Sequence, residues 1–155
     1  MFWVTNKFFC IPFYSLLLLL VVRQFKKKAW IIVVSIAILI TLSDQGSVFI
    51  KNSVERYRPC HNLIIKEQIH LINGCGGQFG FVSSHAANVF ALAMFLSMLL
   101  KGKAKNFTPF IFSWACLVSY IWIYSWVHYP ADLIGGAVFG CILGYLMIRL
   151  YFIVD

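Results

Sequence analysis

Apolar and polar residues fall along this chain in long blocks instead of alternating. Five apolar runs, Phe8–Val22, Ala29–Ile50, Val82–Leu100, Phe107–Val127 and Ala131–Val154, are separated by short polar junctions and one long polar loop, Lys51–Gly80. Runs that are apolar all round, with no two-residue period, predict helices presenting hydrophobic surface in every direction. At about 1.5 Å per residue, the four longer runs approach or exceed the ~30 Å hydrocarbon core of a bilayer. The first run reaches only roughly 22 Å by the same rise, although Phe2, Trp3 and Val4 extend its apolar character. A secretory signal fits it poorly, because Arg23 and Lys26–Lys28 follow the apolar stretch and no small-residue cleavage site is evident. The pattern predicts an all-α, integral-membrane helical bundle with about five transmembrane helices, forming a single membrane-embedded domain over residues 1–155.

Composition sharpens this expectation. With 61% hydrophobic and 12% charged residues, the chain has too little polar surface to cover a soluble domain. Its formal charge of +8, from 13 basic and 5 acidic side chains, suits anionic head groups and an anionic substrate. No nucleic-acid partner is expected, since the basic residues sit in short loops and form no continuous stripe. No obligate protein partner is evident either. The basic junctions 23–28 and 101–105 lie on one side if every run crosses once, and the positive-inside rule makes that side cytoplasmic. The expected location is the plasma (inner) membrane, with the 51–80 loop and the 128–132 junction on the extracytoplasmic side.

The chemistry lies at those outward junctions. Within Phe79–Asn88 a polar, glycine-bearing loop turns into an apolar helix, and Ser83 or Ser84 is a natural N-cap. The free N–H groups and positive dipole end of such a helix form an anion site, with His85 on its first turn. Upstream, Lys51 and Arg58 are seven residues apart, so on a helix they project from nearly the same side. Together they can hold phosphate oxygens, Arg58 through its planar fork. Taken alone, the pair also fits cations snorkelling at a span end. Downstream, Asp132 lies four residues after His128, where a carboxylate can accept the imidazole N–H and leave the other ring nitrogen as a nucleophile. His85 can then protonate the leaving oxygen. Three clusters at one membrane surface point to one phosphate.

Other features are less specific. Asp44, deep in the second run, suits either a supporting role at the site or a helix-packing hydrogen bond. Gly136, Gly140 and Gly144 share a helix face with Asp132 and permit close helix approach. Cys10, Cys116 and Cys141 read as small buried hydrophobes, and no zinc-type spacing occurs. Cys60 and Cys75 share the outward loop, as a disulfide or as two free thiols.

Lys51 with six residues before Arg58-Pro59, then Ser83-Ser84-His85, then His128 with Asp132 four on, resembles the three-part signature of type 2 phosphatidic acid phosphatases. That superfamily includes the vanadium-dependent haloperoxidases, and the resemblance runs from about the second apolar run to the end. It implies a membrane phosphatase that needs no metal or other cofactor. The implied substrate is a lipid phosphate monoester or diphosphate, such as undecaprenyl diphosphate, phosphatidate, phosphatidylglycerophosphate or lipid A. By the resemblance, His128 attacks phosphorus to give a phosphohistidine, Asp132 orients it, His85 is the general acid, and Lys51, Arg58, Ser83 and Ser84 bind the phosphate. Three departures stand out. Val82-Ser83-Ser84-His85 replaces the usual Pro-Ser-Gly-His, five runs stand where six spans are typical, and Ile121-Trp122 occupies the place of a Ser-Arg pair. The last removes a phosphate-holding cation, which Arg56 or Lys66 could supply from the loop. It also raises the alternative of a catalytically impaired relative that binds lipid phosphate or a partner. With the missing arginine read as leaving a slow enzyme, Trp122→Arg raises phosphate release by at least about tenfold, a fraction of the 10²–10³ worth of one preorganised donor.

Overall fold

The computed structural model describes residues 7–62 and 75–154. Among them there is no strand, only an isolated bridge between Tyr57 and Phe79. Five α-helices fall on the five apolar runs: α1 (Lys7–Phe25), α2 (Ala29–Val54), α3 (Ser84–Leu99), α4 (Phe107–Tyr124) and α5 (Pro130–Val154). A 3₁₀ turn, Lys26–Lys28, joins α1 to α2, and another, Pro59–His61, follows α2. Among the described residues three stretches are long and apolar enough to cross a membrane: Ile11–Val54, Phe107–Tyr124 and Pro130–Ile153. The 16 residues of α3 are apolar but span only roughly 24 Å. The protein is thus a membrane helical bundle with one helix on each of the five apolar runs, and among the described residues length and apolarity mark three stretches as candidate crossings.

Burial is arranged for an apolar solvent. Trp30, Phe49 and Ile153 are among many large hydrophobics on the outside, where lipid chains solvate them as well as a core would. Cys116 follows the same rule, being exposed on α4 instead of enclosed as expected, and Cys141 is half-buried. The side chain of Cys10 lies outside the described residues. At the centre, α3 buries Ala86, Ala87, Ala91, Ala93, Phe95 and Leu96. Its small residues face α5, where a Cβ on Gly136, Gly140 or Gly144 would strike the main-chain carbonyls of Ser83, Ala87 and Ala91 respectively. The two helices therefore touch backbone to backbone, the close approach that small residues permit.

The helix ends differ from the sequence pattern in ways that matter. α2 continues past Ile50 to Val54 and is closed by Glu55, left-handed at φ 52°, whose N–H donates to the Lys51 carbonyl at 2.9 Å. Lys51 and Arg58 therefore do not share a helix. The last turn of α2 carries Lys51, while Arg58 is extended at the entry to the second 3₁₀ turn. At the opposite end of the bundle the two basic junctions meet, with Lys103 Nζ 4.0 Å from the Phe25 ring centroid.

Candidate active site

The start of α3 is built by its cap. Ser83 is extended, and its hydroxyl accepts the Ala86 N–H at 3.5 Å, so Ser83 is the N-cap. Its own N–H donates to the Asp132 carbonyl at 2.9 Å, tying α3 to α5. Ser83 is fully buried and its hydroxyl is occupied by the cap, so it shapes the helix start instead of facing outward. Ser84, the first helical residue, accepts from Lys51 Nζ. The Ser47 hydroxyl lies 2.6 Å from Ser84 Oγ and donates onward to the Asp44 carbonyl at 2.7 Å. Ser47 is one turn before Lys51 on α2, a same-face spacing that would have singled it out in the sequence.

The position of His128 is built by a reversal. α4 ends at Tyr124, where the Ser125 N–H and hydroxyl both donate to the Ile121 carbonyl, at 3.0 and 2.9 Å. Trp126 then turns left-handed at φ 57°, and Pro130, with its fixed φ and no N–H, opens α5. His128 lies between them, 3% exposed, with Asp132 at 0%. Asp132 Oδ2 accepts the Tyr129 N–H at 2.9 Å and faces His128 Nδ1 at 3.4 Å. Because an ionised carboxylate only accepts, Nδ1 carries the proton and Nε2 keeps its lone pair. Burial holds His128 below the ordinary imidazole range, opposed by its hydrogen bond to Asp132. At neutral pH the ring is therefore uncharged and nucleophilic.

Arg58 is fixed from the loop. Its Nε donates to the Phe79 carbonyl at 3.1 Å and its Nη1 to the Cys75 carbonyl at 3.0 Å. Cys75 is itself anchored by a disulfide to Cys60, with Cα atoms 5.8 Å apart. Gly80 sits between Arg58 and Asp132, and a Cβ there would stand 3.2 Å from Arg58 Cγ and 3.0 Å from Asp132 Oδ2. Burial lowers the guanidinium pKa, with Asp132 opposing, yet an arginine stays charged. His85 is exposed on the first turn of α3, within electrostatic reach of His128, Arg58 and Lys51. All seven residues singled out in the sequence are thus at one end of the bundle, around the junctions of α2, α3 and α5. Among the described residues, no cluster of His, Cys, Asp and Glu is arranged to hold a metal ion.

A sequence model of the PAP2 superfamily matches residues 28–154. The chain belongs to that superfamily. It is 39% identical over 153 residues to lipid A 4'-phosphatase of Bacteroides thetaiotaomicron, covering 96% of this chain and 66% of that protein. It is 34% identical over 127 residues to lipid A 4'-phosphatase of Porphyromonas gingivalis, covering 81% of this chain and 53% of that protein. The chain therefore spans between half and two thirds of the curated relatives it matches. The crystal structure of a transmembrane PAP2 type phosphatidylglycerolphosphate phosphatase from Bacillus subtilis superposes with a TM-score of 0.68 at 19% identity. That superposition covers 97% of this chain and 72% of the other, and it shows a shared fold.

Against the PAP2 pattern, the departure at Trp122 acquires a structural setting. The Trp122 indole lies on the His85 imidazole, ring centroids 4.0 Å apart and planes tilted by 32°. A guanidinium does enter the site, but from Arg56, whose Nη2 meets Asp132 Oδ1 at 2.5 Å. Its Cζ stands 5.3 Å from the Phe81 ring centroid and 5.0 Å from that of Tyr129. Of the two loop cations considered from the sequence, Arg56 thus reaches the site, and Lys66 lies outside the described residues. Beside His128, a cavity of about 300 Å³ opens between Pro59, Tyr120 and Tyr124 at the end of α4, and Trp126 just beyond it.

Proposed function

We propose that this protein is a membrane lipid phosphatase acting through a phosphohistidine. The observation that carries the reading is the buried His128–Asp132 pair beside the capped start of α3, with Lys51 and Arg58 fixed by partners on either side. His128 Nε2 attacks phosphorus, the bond to the leaving oxygen breaks, and His85 gives that oxygen its proton. Water, losing a proton to His85, then attacks the phosphohistidine and releases phosphate. Lys51, Arg58, Ser84 and the N–H groups at the start of α3 hold the phosphoryl oxygens, and Arg56 locks Asp132. No step calls for a metal ion. The cavity at His128 suits the apolar portion of a lipid whose tail stays in the bilayer.

Among undecaprenyl diphosphate, phosphatidate, phosphatidylglycerophosphate and lipid A, the two curated relatives favour the 4'-phosphate of lipid A. The membrane topology is the one the basic junctions favour, with the site extracytoplasmic. Trp122 motivates a second reading, in which the protein binds lipid phosphate or a partner without turnover. Phosphate release by purified protein from these four lipids decides between them: the phosphatase reading expects release that His128→Ala abolishes. Equal background release from both proteins on all four substrates would leave the binding role.

A further inference from the structure

We infer that Trp122 is a positioning residue for the general acid, its indole taking over the orientation of His85 at a place where the superfamily pattern has a phosphate-holding cation. The inference rests on the reading of His85 as the proton donor. The two histidines are held by different means. His128 has Asp132 against its Nδ1 and is enclosed, so its ring has one orientation. His85 is exposed, and its ring makes no hydrogen bond among the described residues. The ring contact it does make is with the Trp122 indole, centroids 4.0 Å apart and planes tilted by 32°. An imidazole with two free torsions and no partner samples several rotamers, and only those aiming an N–H at the leaving oxygen are productive.

Trp122 is suited to be the fixed partner. It is half-buried on the last turn of α4, and that turn is closed by the double donation of Ser125 to the Ile121 carbonyl. Its Nε1 is buried with no hydrogen-bond partner among the described residues, so no polar contact holds the indole elsewhere. The guanidinium that meets Asp132 comes from Arg56, and position 122 carries a flat ring instead of a cation. The sequence alone favours a gain of activity for Trp122→Arg, whereas the ring contact with His85 makes a loss the expected outcome.

The test uses leaving groups, since a general acid matters only where the leaving oxygen needs a proton. The purified full chain and its variants are assayed on dodecyl phosphate, whose alkoxide must be protonated, and on 4-nitrophenyl phosphate, whose phenolate leaves unaided. Trp122→Ala should lower kcat/KM on dodecyl phosphate by at least about tenfold, part of the 10²–10⁴ that a placed acid contributes, and on the nitrophenyl ester by less than about threefold. This ratio reports the steps up to loss of the leaving group, before His85 takes a proton from water. His85→Ala should show the same selectivity more strongly, and Trp122→Phe, which keeps a ring, should recover most of the loss. If Trp122→Ala does not fold, Trp122→Leu fills the space without a ring and takes its place. A loss of equal size on both esters, or no loss on either, overturns the positioning role. A wild-type protein that hydrolyses neither ester any better than His128→Ala overturns the phosphatase reading first, and the inference falls with it.

Discussion

The two ends of the bundle carry the same kind of charge and use it in opposite ways. At one end Lys26, Lys27, Lys101, Lys103 and Lys105 are exposed. At the other, Lys51, Arg56 and Arg58 are half-buried, and each meets a defined acceptor: Ser84, Asp132, and the carbonyls of Phe79 and Cys75. Removing a cation from water costs several kcal/mol unless fixed partners replace the hydration. A cation that only attracts head groups keeps its water, because direction is irrelevant to it. One that must meet a phosphoryl oxygen at a set place is worth burying and tying down. Position relative to partners, and not residue type, separates the two uses.

The sharpest way to break the contrast is at the carboxylate that the buried end shares. Asp132→Asn keeps the shape but loses the charge and the acceptor-only character that keep the proton on His128 Nδ1, and by analogy with other His–Asp pairs kcat should fall on the order of 10⁴-fold. A fall of less than tenfold would mean that Asp132 does not set the tautomer. Next comes the loop that holds Arg58. Cys60→Ser opens a ring with a sequence separation of 15 residues, which should cost about 3 kcal/mol of stability, read in a thermal melt. Because the Cys75 carbonyl is a partner of Arg58, turnover should fall as well, and a reductant should reproduce both effects in the parent protein.

Arg56 gives a smaller, directional effect. Burial keeps His128 neutral, so activity that needs the free Nε2 persists below the ordinary imidazole range and is lost as pH falls through the depressed value. Arg56→Ala removes the cation from Asp132 and leaves its negative charge to favour the imidazolium. The acid limb of kcat/KM should therefore move to higher pH. An unmoved limb, or one moved downward, would show that Arg56 does not act through Asp132. Smallest of all, Lys27→Ser and Lys103→Ser at the exposed end should each change turnover by less than about twofold, as solvated surface charges do. A larger loss there would erase the distinction between the two ends.

What the sequence disclosed, and what it hid, follows the range of the interactions. The five helices and the N-cap at Ser83 are local: apolar run length and a capping hydroxyl are written in adjacent residues. The His128–Asp132 pair was equally readable, because four residues is one helical turn. The end of α2 was not, since it depends on Glu55 turning left-handed, a conformation no neighbour announces. The pairing of Lys51 and Arg58 on one helix failed for that reason. Arg56 on Asp132 and Trp122 on His85 are separated in the chain by 76 and 37 residues, and no periodicity encodes such meetings. Only the gap in the third motif hinted that another group had to enter.

The glycine seam between α3 and α5 also behaves as a gauge. Main chains in direct contact have no rotamers with which to relax, so the distance from the capped start of α3 to Asp132 is set by atomic radii alone. A thicker or thinner bilayer is accommodated by tilting helices, and this pair must tilt as one body. The half of the site that carries Asp132 and the start of α3 is thereby calibrated independently of the lipids around it, and changes in membrane thickness fall on the approach of α4 and its aromatic end.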